Sequence, residues 1–406
     1  MKKLLSFALS TLLAAHLCII QGVTAAACRG DLHVKTQEDM DQVRTCKTYG
    51  GSIIVDNTAI TSLKMNTVEL LEGDLIITNN SALQRLQIPS LQGINGQFKM
   101  VNNKLLNSLE VPQLYATREL EISIHPALND LAFTSGLTQV EKLKIADTTI
   151  TKVDGLKMSN CKELEISNNN YLKSLSLTNA TAIGSMLISA NSPAIRVDID
   201  NLSTLHDATF RDVAELSMKN LKKVSGDMSF ISNSFENLQL PQTSEIAGTL
   251  TLTDNLRLYN LSMPQLMHLG GALSVSTNEK LVNINAFPSL QQVDGTLDIT
   301  GGFDEIQFPA LLDVRGGLNI QTSSQSFDCD GMNKLRHGVI KGNVFVCKGA
   351  VAQPESSLKG FGGANRGTVK LESFSERVSP LQFGILSSSI ILTYLISFSQ
   401  LFWPSI

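Results

Sequence analysis

The 406-residue sequence predicts an all-β fold, a β-solenoid of about twelve turns (rungs) with roughly 22 residues each. One phrase recurs in a single frame along most of the chain: Gly-x-apolar-x-apolar-x-x-Asn, then Leu-x-x-Leu-x-apolar-Pro, then Leu-x-x-apolar-x-Gly. Repeats of this length are typical of solenoids, in which each turn buries its apolar residues by stacking on its neighbours. The frame restarts at Gly51, Gly73, Gly96, Arg118, Glu141, Lys162, Gly184, His206, Gly226, Gly248, Gly271, Gly295 and Gly316.

Each repeat predicts two short strands. Apolar residues such as Leu75 and Ile77 alternate with non-core positions, which is the pattern of a strand with one buried face. A second alternating segment often ends in proline, which stops a strand because it lacks an N–H group and fixes φ. These prolines are Pro89, Pro112, Pro241, Pro264, Pro288 and Pro309. A helix-bearing leucine-rich-repeat horseshoe is the alternative, since Leu-x-x-Leu-x-Ile suits either architecture.

Two sets of polar residues support the common register. Asparagines recur seven residues after the start of a turn, where stacked side-chain amides are expected to form a ladder. They are Asn80, Asn103, Asn169, Asn191, Asn233, Asn255 and Asn278. Charges alternate in sign at outward positions of successive first strands, which predicts ion pairs between rungs. These residues are Lys99, Glu121, Lys144 and Glu165, with Glu119, Lys142 and Glu163 in a second row.

The chain ends predict export and lipid attachment. Residues 1–25 read as a signal peptide, with Lys2 and Lys3 before an apolar stretch and small residues before Cys28. The uncharged apolar tail 381–406 follows a polar spacer and a Gly-rich segment, the order that directs attachment of a glycosylphosphatidylinositol (GPI) anchor. We expect residues 351–365 to form a linker and the anchor to be attached at Asn365, with Gly362 and Gly363 as alternative attachment sites. Residues 366–406 would then be removed. A C-terminal transmembrane anchor is the competing interpretation.

Four of the six cysteines flank the repeats as two equally spaced pairs. Cys28 with Cys46, and Cys329 with Cys347, predict disulfide-closed caps at 26–50 and 326–350 that cover the ends of the solenoid at 51–325. Cys161 is expected to be a small buried residue rather than an intermolecular bridge. Asn-x-Ser/Thr motifs predict N-glycans at Asn79, Asn179, Asn201 and Asn260.

The sequence contains few patterns typical of catalytic, metal-binding or cofactor-binding sites. The histidines do not cluster as metal ligands, and no nucleophile elbow, phosphate loop or dinucleotide motif occurs, so no cofactor and no metal is predicted. The most arguable catalytic set is Asp198 and Asp200 with Lys222, although a solvated strand explains them equally. The net charge of -4 without a basic patch argues against nucleic-acid binding.

The paired cysteines, the repeated phrases and the terminal GPI signal together resemble the fungal family of sporulation-specific and extracellular-mutant GPI-anchored cell-wall glycoproteins. Its repeats are similar to receptor L domains. The resemblance implies a non-enzymatic protein on the outer leaflet of the plasma membrane or joined to wall glucan, which maintains the cell wall or the ascospore wall. A surface receptor or adhesion module for a protein or glycan is the alternative, and a polysaccharide-active enzyme is a remote one.

Overall fold

A computed structural model describes residues 28–358, which form a continuous parallel β-solenoid of about 13 turns. Each turn contributes up to three strand segments, which we call faces A, B and C in chain order. Faces A and C belong to one 22-stranded parallel sheet that bends at the corner between them, while face B consists of five sheets of two or three strands. The predicted β-solenoid is therefore confirmed.

Face A carries the first strand of each turn, and its strands pair in parallel with those of the next turn. Its strands are Leu32–His33, Ile53–Asp56, Leu75–Thr78, Gly93–Val101, Ala116–His125, Lys142–Thr148, Asn160–Ser167, Ala182–Ser189, Thr204–Arg211, Met228–Ile231, Leu250–Thr253, Leu273–Ser276, Leu297–Gly301, Leu318–Thr322 and Phe345–Lys348. Five of them begin on face C and continue round the corner without a break: Gly93–Val101, Ala116–His125, Asn160–Ser167, Ala182–Ser189 and Thr204–Arg211.

Faces B and C carry shorter strands. Those of face B are Ser62–Lys64, Arg85–Gln87, Ser108–Glu110, Leu131–Leu137, Val153–Leu156, Ser174–Ser176, Arg196–Asp198, Glu215–Ser217, Asn237–Gln239, Asn260–Ser262, Asn283–Ile284 and Glu305–Ile306. The separate strands of face C are Thr48–Tyr49, Leu70–Leu71, Lys223–Val224, Glu245–Ile246, His268–Leu269, Gln292–Val293 and Asp313–Val314. The recurrent prolines lie two to four residues after the ends of face B strands.

Within 28–358 the structure contains two helices, both in the caps: α1 (Gln37–Asp41) and α2 (Asp330–Leu335). The Thr36 side chain caps the N-terminus of α1. Disulfides Cys28–Cys46 and Cys329–Cys347 close the two ends, as predicted. The helix-bearing horseshoe is excluded, because the repeats of the described chain contain no helix. No helix in this part of the chain is both long and apolar enough to cross a membrane.

The interior is one continuous hydrophobic core built of vertical columns. Register pairing stacks inward residues of face A directly on one another, for example Leu250 on Leu273 and Leu252 on Val275. Side chains of different size stand side by side in these columns. The small Ala208 lies on the same strand as Phe210, whose ring stacks on that of Phe230 in the next turn at a centroid distance of 5.5 Å. Dense packing of this kind explains why the repeat tolerates only apolar residues at these positions.

The predicted asparagine ladder exists, in three segments rather than one. Within a segment each side-chain Nδ2 donates to a strand carbonyl and, except in the last asparagine, also to the Oδ1 of the next rung; Asn255, for example, donates to Asn278 Oδ1 at 3.1 Å and to Phe230 O at 3.0 Å. The amides thereby satisfy buried backbone groups at the turn from face A to face B. The ladder is interrupted where His125, Thr148 and Val213 occupy the position, and it ends at Asn278, since Gly302 stands at the matching position of the next turn.

His125 replaces a ladder asparagine and is fully buried. Its Nδ1 lies 3.2 Å from Asn103 O and its Nε2 lies 3.1 Å from Met100 O. Burial lowers the pKa of His125 below its usual 6.5, because it penalises the imidazolium more than the two carbonyl contacts favour it. The folded protein therefore resists a proton that the unfolded chain accepts below about pH 6.5.

We expect His125→Asn to flatten the loss of stability in acid. Stability linked to this histidine is complete above its unfolded pKa and falls as the pH drops below it. Asparagine fits the ladder position, where its Oδ1 would accept from Asn103 as Asn103 accepts from Asn80. The measurement is the urea midpoint of wild type and variant between pH 7.5 and 5. Parallel pH profiles would show that His125 does not carry this effect.

Glycines recur at the corner from face C to face A because backbones of successive turns meet there. A Cβ built on Gly73 would lie 2.5 Å from the carbonyl carbon of Gly51, and one built on Gly248 would lie 2.6 Å from that of Gly226. Real Cβ atoms do not approach backbone so closely. Close approach, not a left-handed φ, is thus the reason for this glycine column.

The charged rows on face A pair between rungs as predicted. Glu121 stands in register between Lys99 and Lys144, and Lys144 pairs with Glu165. The nitrogen–oxygen distances are 3.4 Å for Lys99–Glu121 and 3.1 Å for Lys144–Glu165. Because these side chains are partly exposed, each pair contributes at most about 1 kcal/mol, and their main effect is to favour the correct register.

Candidate functional site

The corner between faces C and A is one residue shorter in five central turns. Ile94 pairs with Thr117 and Gln97 with Glu119, so two residues of one turn lie opposite Arg118 alone in the next. The longer corner returns after His206, where Leu205 pairs with Val224 and Ala208 with Met228. The shortened corners carry Arg118, Glu141, Lys162, Gly184 and His206. Turns with longer corners flank this stretch on both sides.

A groove follows the shortened corners. It consists of two adjoining hollows of about 390 and 490 Å³, which share Val140, Glu141 and Asn160. Val140, Cys161 and Ile183 form its floor and are nearly buried. Exposed amides line it at Asn95, Gln139 and Asn160; Gln139 and Asn160 lie on neighbouring turns, whereas Asn95 lies two turns before Gln139. We call this feature, within residues 94–184, the corner groove.

Two cations, Arg118 and Lys162, and one carboxylate, Glu141, stand at the rim of the corner groove. Lys162 Nζ lies 2.7 Å from Glu141 Oε2, and this contact lowers the pKa of the Glu141 carboxyl, with Arg118 adding to the effect. Rungs stack about 4.8 Å apart, so Gln139 and Asn160 lie at about that interval along the solenoid axis, and Asn95 lies two rungs before Gln139. The groove therefore offers uncharged hydrogen-bonding groups on three turns over an apolar floor, which suits a neutral, hydroxyl-rich chain lying parallel to the axis.

Cys161 has a structural explanation in this groove. Its Sγ lies 3.1 Å from Glu163 O and 3.4 Å from Glu141 O. Thr117 Oγ1 makes the matching contacts two turns earlier, with Glu119 O at 3.0 Å and Gly96 O at 3.2 Å. Burial raises the pKa of the Cys161 thiol to about 11, so the reactive thiolate is scarce at neutral pH. The expected buried cysteine is confirmed.

The arguable catalytic set of Asp198, Asp200 and Lys222 is not assembled as the repeat length suggests. This turn is shorter, and Asp198 lies opposite Ser217 on face B. Asp200 instead accepts from Ser217 Oγ at 2.6 Å and from Lys219 Nζ at 2.7 Å. Partial burial opposes ionisation of Asp200, but the Lys219 and Ser217 hydrogen bonds outweigh it and lower its pKa. A carboxylate held ionised by a lysine is a poor general acid, and the expected partner Lys222 was wrong.

The four glycosylation motifs lie away from face A strands. Asn79 is exposed at the turn that leaves face A, in a left-handed conformation with φ of 57°. Asn179 and Asn201 are exposed after neighbouring face B strands, whereas Asn260 is half-buried within one and donates to Asn237 Oδ1 at 2.9 Å. Glycosylation of these four asparagines remains a prediction, with Asn260 the least accessible acceptor.

The remaining predicted sites lie outside the part of the chain that the structure describes. The signal peptide, Asn365, Gly362, Gly363 and the tail 366–406 lie outside residues 28–358. Within those residues, no three His, Cys, Asp or Glu side chains group as metal ligands.

Comparison with known proteins identifies relatives over nearly the whole chain. A cell surface GPI-anchored protein of Arthroderma benhamiae is 30% identical over 362 residues, which cover 89% of this chain and 92% of that protein. The chain belongs to this fungal family of GPI-anchored cell-surface proteins. The family also includes protein ecm33 of Aspergillus fumigatus, 30% identical over 354 residues that cover 86% of this chain and 87% of the relative.

A sporulation-specific member of the family, sporulation-specific protein 2 of Saccharomyces cerevisiae, is 28% identical over 227 residues, or 55% of this chain and 45% of the relative. No family model matches the chain, and no solved structure matches it. As a member of the GPI-anchored cell-surface family, the protein is located at the cell surface. The resemblance drawn from the repeats, cysteines and tail is thus confirmed.

The corner groove was not foreseen from the sequence. A signal for it was present, because the glycine that opens most repeats is replaced by Arg118, Glu141, Lys162 and His206 in the central turns. The replacement marks a groove because these glycines lie where the backbones of successive turns meet, and because each of these corners lacks one residue. Both facts depend on the register between turns, which the sequence alone does not show.

Proposed function

We propose that this protein is a non-enzymatic organiser of the fungal cell wall, which is fixed to the cell surface by a GPI anchor and contacts wall glucan along the corner groove. The observation that carries the proposal is the set of three exposed amides, Asn95, Gln139 and Asn160, spread over four successive turns above an apolar floor. A linear polysaccharide presents hydroxyl groups along its length and has apolar faces on its sugar rings.

A role in binding rather than catalysis is supported by the same geometry. Hydrolysis of a glycosidic bond uses two carboxyl groups on opposite sides of the bond, one of them able to donate a proton. Among residues 28–358, Glu141 is the single carboxylate lining the two hollows of the groove, and its ion pair with Lys162 holds it ionised. Relatives are named as cell-surface and cell-wall proteins, and their names agree with this role.

The binding test compares the secreted ectodomain with a groove variant. We expect Asn95→Ala/Gln139→Ala/Asn160→Ala to reduce retention on insoluble β-glucan at least five-fold, because three rungs lose their hydrogen-bonding groups. Gln84→Ala/Asn107→Ala, two exposed changes elsewhere on the solenoid, serves as the matched control. Equal retention of all three proteins, or tight binding to a single protein ligand with none to glucan, would contradict the proposal.

The anchor is tested separately by cell fractionation. Phosphatidylinositol-specific phospholipase is expected to release the ectodomain from membranes, and glucanase to release any fraction joined to the wall. The tail 381–406 contains Trp403, the only tryptophan of the chain, so the mature protein should lack tryptophan fluorescence. A mature protein that retains this tail would rule out the GPI anchor at Asn365.

A further inference from the structure

The chain does not leave the solenoid after the C-terminal cap. Beyond the last strand, Phe345–Lys348, the amides of Ala350 and Val351 donate to Ser324 O at 2.8 Å and Thr322 O at 2.9 Å. The chain then runs back along face A towards the N-terminal turns. Glu355 O accepts from Asn319 Nδ2 at 2.9 Å and from Gln321 Nε2 at 3.1 Å. We call residues 350–358 the strap.

The strap is fixed to the preceding turn by a buried aspartate. Asp298 is fully buried and stands on face A in register with Asn319. Its Oδ1 accepts from the backbone and side chain of Ser357, each at 2.9 Å, and from Asn319 Nδ2 at 2.6 Å. Its Oδ2 accepts from Ser356 Oγ. Four donor groups, three of them from the neighbouring Ser356 and Ser357 of the strap, thus replace the water that an outward aspartate would otherwise bind.

This set of contacts is specific because a carboxylate is costly to bury without donors. Removing an ionised group from water costs several kcal/mol unless hydrogen bonds replace the lost hydration. The strap supplies most of those bonds, so its binding and the burial of Asp298 are coupled. The outward row of face A also changes towards its C-terminal end, from long charged residues such as Lys144 and Glu165 to the short Thr251 and Ser274 before Asp298. Short side chains leave space for a chain to lie on this face.

We propose that the strap sets the orientation of the solenoid at the cell surface, with face A towards the membrane. The inference rests on the proposed anchor at Asn365. That residue lies seven positions after Leu358, so an extended chain spans at most about 25 Å between them. The attachment point therefore stays within about 25 Å of the end of the strap on face A.

Placement of the predicted glycans agrees with this orientation. Asn179, Asn201 and Asn260 lie on or beside face B, and Asn79 lies at the turn leading to it. A bulky, hydrated glycan is compatible with a surface that faces away from lipid. The strands of face A carry none of the four motifs.

Hydrogen exchange of the phospholipase-released protein tests the docking of the strap. We expect the amide of Ser357 to be protected in wild type and to exchange at least ten-fold faster in Asp298→Ala. Asp313→Ala is the matched control, since Asp313 lies on face C and contacts Arg315 instead. Ser356→Ala/Ser357→Ala alters only the strap and should release residues 350–358 without affecting the folding of the turns. Exchange in wild type as fast as in an unstructured peptide would overturn the proposal.

Energy transfer to a lipid dye tests the orientation in the full-length, GPI-anchored protein on phosphatidylcholine vesicles. Ser185→Cys on face A and Ser174→Cys on face B place a donor at exposed sites in neighbouring turns. Transfer should be stronger from residue 185, and the difference should disappear when Asp298→Ala is added. Equal transfer from both sites in the wild-type background would refute the orientation. Failure of phospholipase to release the protein would instead refute the anchor, so the two failures are distinguishable.

Discussion

Asn255→Ala is expected to lower the free energy of unfolding by about 3–5 kcal/mol, because it leaves several buried polar groups unpaired. Asn255 Oδ1 accepts from the backbone and side chain of Asn233, each at 3.0 Å, while its Nδ2 donates to Phe230 O. Alanine removes the partner of the Asn233 N–H and of the Phe230 carbonyl. Each buried group without a partner costs roughly 1–3 kcal/mol.

The measurement for Asn255→Ala is urea unfolding of the ectodomain, followed by circular dichroism. Asn107→Ala is the matched control, since Asn107 is exposed and lies outside the ladder, and we expect its effect to stay within about 0.5 kcal/mol. A loss below about 1 kcal/mol in the Asn255 variant would mean that water or a rearranged turn replaces the missing amide.

Gly248→Ala is expected to lower the free energy of unfolding by about 3 kcal/mol through overpacking. The added methyl group would lie 2.6 Å from both the carbonyl carbon and the oxygen of Gly226 in the preceding turn. Neither turn can move freely, because each is bonded to its neighbours on both sides: Gly248 N donates to Gly226 O, and Gly271 N donates to Gly248 O. Separation of the two turns would weaken these bonds.

Gly302→Ala provides the control for the glycine column. A Cβ at that position finds Ser323 Oγ at 3.6 Å as its nearest neighbour, an ordinary van der Waals contact. Its effect should be small or slightly stabilising, because alanine reduces the conformational freedom of the unfolded chain. Similar urea midpoints for the Gly248 and Gly302 variants would show that the corner adjusts to a methyl group without cost.

Much of this fold follows from the sequence because one local pattern repeats and each copy must match its neighbours. Alternation at Leu75 and Ile77 specifies a strand and its buried side, and the same pattern one turn later fixes the register. Cys28 with Cys46, and Cys329 with Cys347, follow from their position at the two ends of the repeats. The pairing of Lys144 with Glu165 was likewise predictable, because charges at matched positions meet in parallel strands.

Features that depend on irregular turn length escaped prediction. Lys222 was matched to Asp200 by counting an average repeat, but the turn is short and places Lys219 there instead. The corner groove shares this origin, whereas the strap escaped prediction for a different reason. The strap has no alternating apolar residues, and its contacts with Asp298 join residues nearly sixty positions apart. Polar contacts of this kind leave no periodic trace in a sequence.

The position of the strap contacts, between the C-terminus and the final strand, has a mechanical consequence. Tension on a lipid-linked C-terminus would first load the hydrogen bonds at Asp298 and Asn319, on the flank of the coil, before it reached the final strand. If those bonds yielded, the load would pass to Phe345–Lys348, where the Cys347 sulfur is covalently joined to Cys329. Peeling of the last turn would stop at that covalent link, so the protein resists being unravelled from its tethered end.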